Sequence, residues 1–118
     1  MLKSILDLDD VEVYDVMNHR RNLFALNVDM PVKKMVDKVK NSPFSRIPLY
    51  QDKPENIVGV IRVKHLLKEC VDKKNDFSKI DVRKLMSAPW FIPENTTLLQ
   101  QLQMFRKRRE HFAIVVDE

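Results

Sequence analysis

Glycine is almost missing from this chain: Gly59 stands alone among 118 residues. A phosphate-cradling loop of the P-loop or dinucleotide type needs several glycines, because the backbone must approach the phosphates closely. A hydrolase nucleophile elbow needs glycines around its serine. Neither can be built here, and the reading is of a protein that is not an enzyme. Cysteine is equally scarce, with Cys70 alone. An internal disulfide is excluded, no zinc-ligand pattern is present, and the chain suits a reducing compartment. His19 and His111 have no carboxylate or cysteine at metal-ligand spacing, so no metal site is expected. No apolar run approaches the roughly 20 residues of a bilayer span, and no signal-peptide pattern opens the chain. The expectation is a soluble, cytoplasmic piece.

What is present is a globular composition, 44% hydrophobic and 32% charged, with a formal net charge of +4. A unit of about 60 residues buries only about 60% of its unfolded surface, so two half-size units would need each other's core. The basic residues are spread along the chain. Their one dense run, Arg106–Arg109, ends a predicted helix, where cations are favourable. No aromatic–basic platform accompanies it, so nucleic acid is not the expected partner.

The chain is organised around Ser45–Leu67. Ile47, Leu49 and Tyr50 precede a breaker run containing Pro54 and Asn56, and the β-branched run Ile57–Ile61 follows: a hairpin. Val63, Leu66, Leu67, Cys70 and Val71 then fall on one helix face, which makes Cys70 a small core residue. Before the hairpin, Val13, Val16 and Met17 suit a short helix behind an acidic cluster, and residues 23–28 read as a strand. Asp29 is the expected N-cap of a helix through Val32, Met35, Val36 and Val39, with Pro31 just inside it. Residues 72–80 read as a polar connector.

The same order then returns. Val82–Met86 mirrors Val13–Met17, Trp90–Pro93 takes the place of the first strand, and Asn95–Thr97 caps a helix with Leu98, Leu102 and Phe105 inward. Phe112–Val116 takes the place of Arg46–Tyr50. The spacing predicts a duplicated helix–strand–helix–strand–strand–helix unit. The second copy stops before its hairpin partner, so strand 112–116 is expected to have an open edge. A longer chain, or another chain, would cover it.

A tandem repeat of this kind resembles a CBS-domain pair, or Bateman module. Residues 5–11 (ILDLDDV) leading to Asp15-Val16-Met17, then Ser45–Tyr50 (SRIPLY), Asn56–Val60 (NIVGV) and Ala113–Glu118 (AIVVDE) resemble the pair of the CorB/CorC group. These are the hemolysin-like, magnesium and cobalt efflux proteins related to the CNNM proteins. The resemblance implies an α+β fold of tandem CBS repeats over 1–118, the first spanning 10–71 and the second, truncated, 80–118. It implies a regulatory module that senses AMP, or ATP with magnesium, alongside a transmembrane or transporter-associated domain at the cytoplasmic face of the inner membrane. Homodimers through the CBS pairs are implied too; the alternative is a dimerisation module that binds no small ligand. By resemblance, Met17, Asn18, Arg46, Ile47 and Pro48 line the main cleft, and Arg62, His65, Ala113 and Ile114 a second one. Arg62 and His65 stand where the family carries its hydroxyl and aspartate for ribose and phosphate. Pro is frequent in the family at the position of His19.

Overall fold

A computed structural model describes residues 2–7 and 20–116, and the expected helix at Val13–Met17 lies outside the described residues. Residues 24–89 form one compact unit. The second is made from the described residues before Phe24 together with those from Trp90 onward.

In the 24–89 unit, strand β3 (Leu26–Asn27) runs parallel to β4 (Arg46–Tyr50), which pairs antiparallel with β5 (Ile57–Arg62). Helices α1 (Val32–Lys40) and α2 (Val63–Asp72) supply Met35, Val39, Leu66 and Cys70 to a core completed by Ile47 and Leu49. The predicted hairpin and following helix are therefore found where the change of period placed them. Ile47, Pro48 and Leu49 are all buried, as in a strand covered on both faces. Pro48 has no N–H to give a ladder. The register with β3 involves Leu49 and Tyr50, so at Pro48, among the described residues, β4 is paired with β5 alone.

Three local expectations are corrected. The strand expected over 23–28 is two residues long, because Met30 N–H already turns back to the Asn27 carbonyl at 3.2 Å. Asp29 does not cap α1. Pro31 occupies the N-cap without a side-chain cap, while the Asp29 carboxylate accepts a 3.0 Å hydrogen bond from Arg83 Nη2. Residues 72–80 are not a bare connector. Asp76 caps a 3-10 turn at Phe77–Lys79, and Ile80 is buried in the same core, with α3 (Val82–Leu85) next. The compact unit thus runs past residue 80 and takes in α3.

The other unit contains β1 (Leu2–Asp7), β2 (Arg20–Arg21), β6 (Phe91–Pro93), α4 (Leu98–Arg108) and β7 (Phe112–Val116), with sheet order β2-β1-β7-β6. Phe105 is fully buried against Leu6, Ile92, Ala113 and Val115, and Trp90 meets it edge-on at 4.9 Å between centroids. Leu102 packs on this core; the side chain of Leu98 lies outside the described residues. The expected open edge of β7 is closed. β6 lies parallel on one side, and β1 lies antiparallel on the other, pairing Ile5 with Ile114 and Leu6 with Ala113. The sequence pattern did not mark residues 2–7 as a strand, and their partner is a hundred positions away. The result is an α+β fold of tandem units, the second repeat the shorter.

Candidate functional site

Antiparallel pairing fixes which side chains meet at the end of the β4–β5 hairpin: Arg46 lies directly opposite Arg62. Directly opposed side chains in such a ladder have Cβ atoms about 5 Å apart, and like charges there are unfavourable. Arg46 is half-buried, and Arg62 is exposed. Arg62 is also the N-cap of α2, where it makes no side-chain cap, and the first turn of that helix has no acidic residue. Lys64 and His65 in that turn are exposed. Val63 N–H is held by the Ser45 carbonyl at 3.0 Å, which ties the helix start to the residue before Arg46. Two opposed arginines beside a helix whose first turn has no acidic residue are chemically suited to a phosphate or other oxyanion.

The other residues singled out from the sequence fall as follows. Met17 and Asn18 lie outside the described residues. Ile47 and Pro48 are buried in β4, next along the strand from Arg46. Arg46, Arg62 and His65 belong to the 24–89 unit, whereas Ala113 and Ile114 belong to β7 of the other unit. Both β7 residues are fully buried, so their side chains serve the interior. The sequence reading assigned Arg46 and Arg62 to different clefts. Counting outward from the turn at 51–56 is the signal that pairs them. No group of three or more metal-ligating side chains occurs among the described residues. Burial, followed by the charge of Glu69, pushes the Cys70 thiol above its ordinary pKa, as expected for a core residue rather than a nucleophile.

The CBS-domain family model matches residues 13–72. The chain belongs to the CBS-domain family. CBS domains of this group are regulatory rather than catalytic. Over 119 residues, covering all of the chain and 28% of its relative, it is 33% identical to a UPF0053 protein of Haemophilus influenzae. Among solved structures, it is similar to the CBS domain of the bacterial CNNM/CorC family Mg2+ transporter. Identity is 30%, over 81% of this chain and 57% of that one, with a TM-score of 0.70. It is also similar to a CBS-domain pair with bound AMP from Klebsiella pneumoniae. There identity is 28%, over 81% of this chain and 75% of that one, with a TM-score of 0.71. The CBS chain spans about a quarter of the length of its Haemophilus relative. Among the described residues, no helix is long and apolar enough to cross a membrane.

Proposed function

We propose that this CBS pair is the regulatory module of a CorC/CNNM-type protein associated with magnesium and cobalt transport, and that its ligand is an adenine nucleotide. The likeness to an AMP-bound CBS pair and to a CNNM/CorC Mg2+ transporter domain supports that assignment. The observation that carries the ligand reading is the opposition of Arg46 and Arg62 at an acid-free helix N-terminus. Opposed arginines bring two guanidinium groups together, and both can give charge-assisted hydrogen bonds to a phosphate. Arg46 and Arg62 hold the phosphate, His65 lies at the rim, and Ile47 and Pro48 support the strand that carries Arg46. Met17 and Asn18 are proposed for the main cleft and Ala113 and Ile114 for the second, with repeats at 10–71 and 80–118. The module works as a homodimer at the cytoplasmic face of the inner membrane, beside a transmembrane or transporter-associated domain.

A nucleotide becomes a signal when its affinity differs between two arrangements of the pair. Isothermal titration of the 118-residue chain with AMP, and with ATP in the presence and absence of magnesium, tests the reading. Saturable heat that is lost in Arg46→Ala is the expected result. No heat with any of the three ligands would overturn the nucleotide reading and favour a dimerisation module that binds nothing small.

A further inference from the structure

The charge of the chain is not shared evenly between its two units. Residues 24–89 carry a formal net charge of +6, against −2 for the rest of the chain. Within the 24–89 unit the excess belongs entirely to two helices and their flanks. Residues 32–40 and 62–74 hold nine basic side chains and three acidic ones, whereas the remainder of the unit balances five against five. Helices α1 and α2 pack against each other over one core, the first through Met35 and Val39 and the second through Leu66 and Cys70. Their charged side chains are thereby turned to the solvent side, where Lys33, Lys34, Lys38, Lys64 and Lys68 are all exposed.

Local helix chemistry does not account for these lysines. Lys33 and Lys34 lie in the first turn of α1 and Lys64 in that of α2, at the end of a helix where the backbone field favours anions. Neither turn holds an acidic residue, and neither helix has a side-chain cap. Of the three acids, Asp37 already lies 3.4 Å from Lys40. A second copy of the same face is a poor occupant, since like charges would meet.

Nucleic acid is a poor occupant by composition. α1 and α2 contain no Phe, Tyr or Trp on which a base could stack, and eight of the nine basic side chains are lysines rather than bidentate guanidinium groups. Val71, at 74% the most exposed large hydrophobic residue described, lies on α2 between Lys68 and Lys73. An apolar side chain set among lysines, whose heads reach outward on aliphatic stems, suits the boundary between lipid headgroups and acyl chains.

We infer that the outer face of α1 and α2 is a docking surface for an anionic lipid bilayer, with the lysines at the headgroups and Val71 reaching past them. Each lysine brought near such a surface raises partitioning about fivefold. The consequence is positional: the module is held against the membrane and loosened as salt screens the lysines. The inference does not draw on the nucleotide reading.

The full 118-residue chain is sedimented with phosphatidylcholine vesicles, with and without about 30% phosphatidylglycerol, at about 50 and about 300 mM salt. Saturable binding only to the phosphatidylglycerol vesicles, weakened about tenfold or more at the higher salt, is the expected result. The triple variant Lys33→Gln, Lys34→Gln, Lys38→Gln is expected to bind about 100-fold more weakly, and Lys64→Gln with Lys68→Gln about 20-fold more weakly. Both variants change exposed side chains only, and their melting temperatures should equal or exceed the native value. Arg106→Gln with Lys107→Gln, at the end of α4 in the other unit, should bind as the native chain does. The inference is overturned if the native chain ignores the phosphatidylglycerol vesicles, if either lysine variant binds as the native chain does, or if the 106–107 variant loses binding. Tighter binding to a short DNA duplex than to vesicles of equal phosphate content would also overturn it, and would assign the face to nucleic acid.

Discussion

Arg46 and Arg62 face each other across the β4–β5 ladder, with Arg62 also opening helix α2. If the pair serves an anion, stability and binding must move in opposite directions when one charge is reversed. Arg62→Glu replaces repulsion by an opposite-charge pair and puts an acid at a helix N-terminus, together worth about 1 kcal/mol. The melting temperature should rise. AMP affinity should fall by about 10- to 100-fold, the value of one hydrogen bond from a charged group. Melting curves with and without AMP read both effects on one sample. A variant that keeps its AMP-induced shift would remove Arg62 from the site.

Gly59 is required by its neighbour rather than by its backbone. A Cβ at this position would overlap Met86 Sδ and come within 2.8 Å of Met86 Cγ. Val60 and Ser87 are bridged by two 2.9 Å hydrogen bonds one residue along, which leaves the chain little room to retreat. Gly59→Ala is therefore expected to cost about 1–3 kcal/mol through overpacking. The cost should shrink in a Met86→Ala background, as a double-mutant cycle from urea unfolding would show. Equal costs in both backgrounds would mean that Met86 is not the obstacle.

These residues also show what a sequence can and cannot disclose here. The hairpin was legible because an apolar run and a β-branched run flank a breaker run, and α2 was legible because its apolar residues change to helical period. Strand β1 was not. Leu2–Asp7 has only one β-branched residue, Ile5, and its partner strand, at 112–116, is remote in sequence, so no local pattern records the pairing. Asp29 carried a capping signal that a distant competitor overrode, since Arg83 takes its carboxylate and the helix starts at Val32 instead. The arginines of the site were legible one at a time; their opposition is a property of register. The first-repeat match at residues 13–72 includes Met17 and Asn18, which lie outside the described residues.

Cys70 yields a pH dependence whose sign is fixed by its burial. Its thiol pKa is raised in the folded chain, first by desolvation and then by Glu69. Above the ordinary thiol pKa of about 8.5, the unfolded chain loses a proton that the folded chain keeps. Stability is thus fully present below that pH and falls as pH rises toward the folded value. Urea midpoints measured from pH 7 to 10 should decline more steeply in the native sequence than in Cys70→Ala. Native chain at pH 8 should also resist iodoacetamide, whereas chain in denaturing urea should react readily.

The start of α4 offers the sharpest test of local helix chemistry, because α1 and α2 begin without a side-chain cap and α4 begins with a complete one. Thr97 Oγ1 accepts the Gln100 N–H at 3.2 Å, and Gln100 Oε1 accepts the Thr97 N–H at 2.9 Å. Thr97→Ala removes one arm of this reciprocal pair and should cost about 1 kcal/mol. Thr97→Asp keeps an acceptor and adds a negative charge at the positive end of the helix, so its stability should equal or exceed that of the native chain. Asp is close to Thr in size whereas Ala is smaller, and the two act oppositely on the exposed N–H groups. Chemical unfolding of both variants separates capping from simple loss of contact. Equal destabilisation by Ala and Asp would show that Thr97 matters for its packing alone.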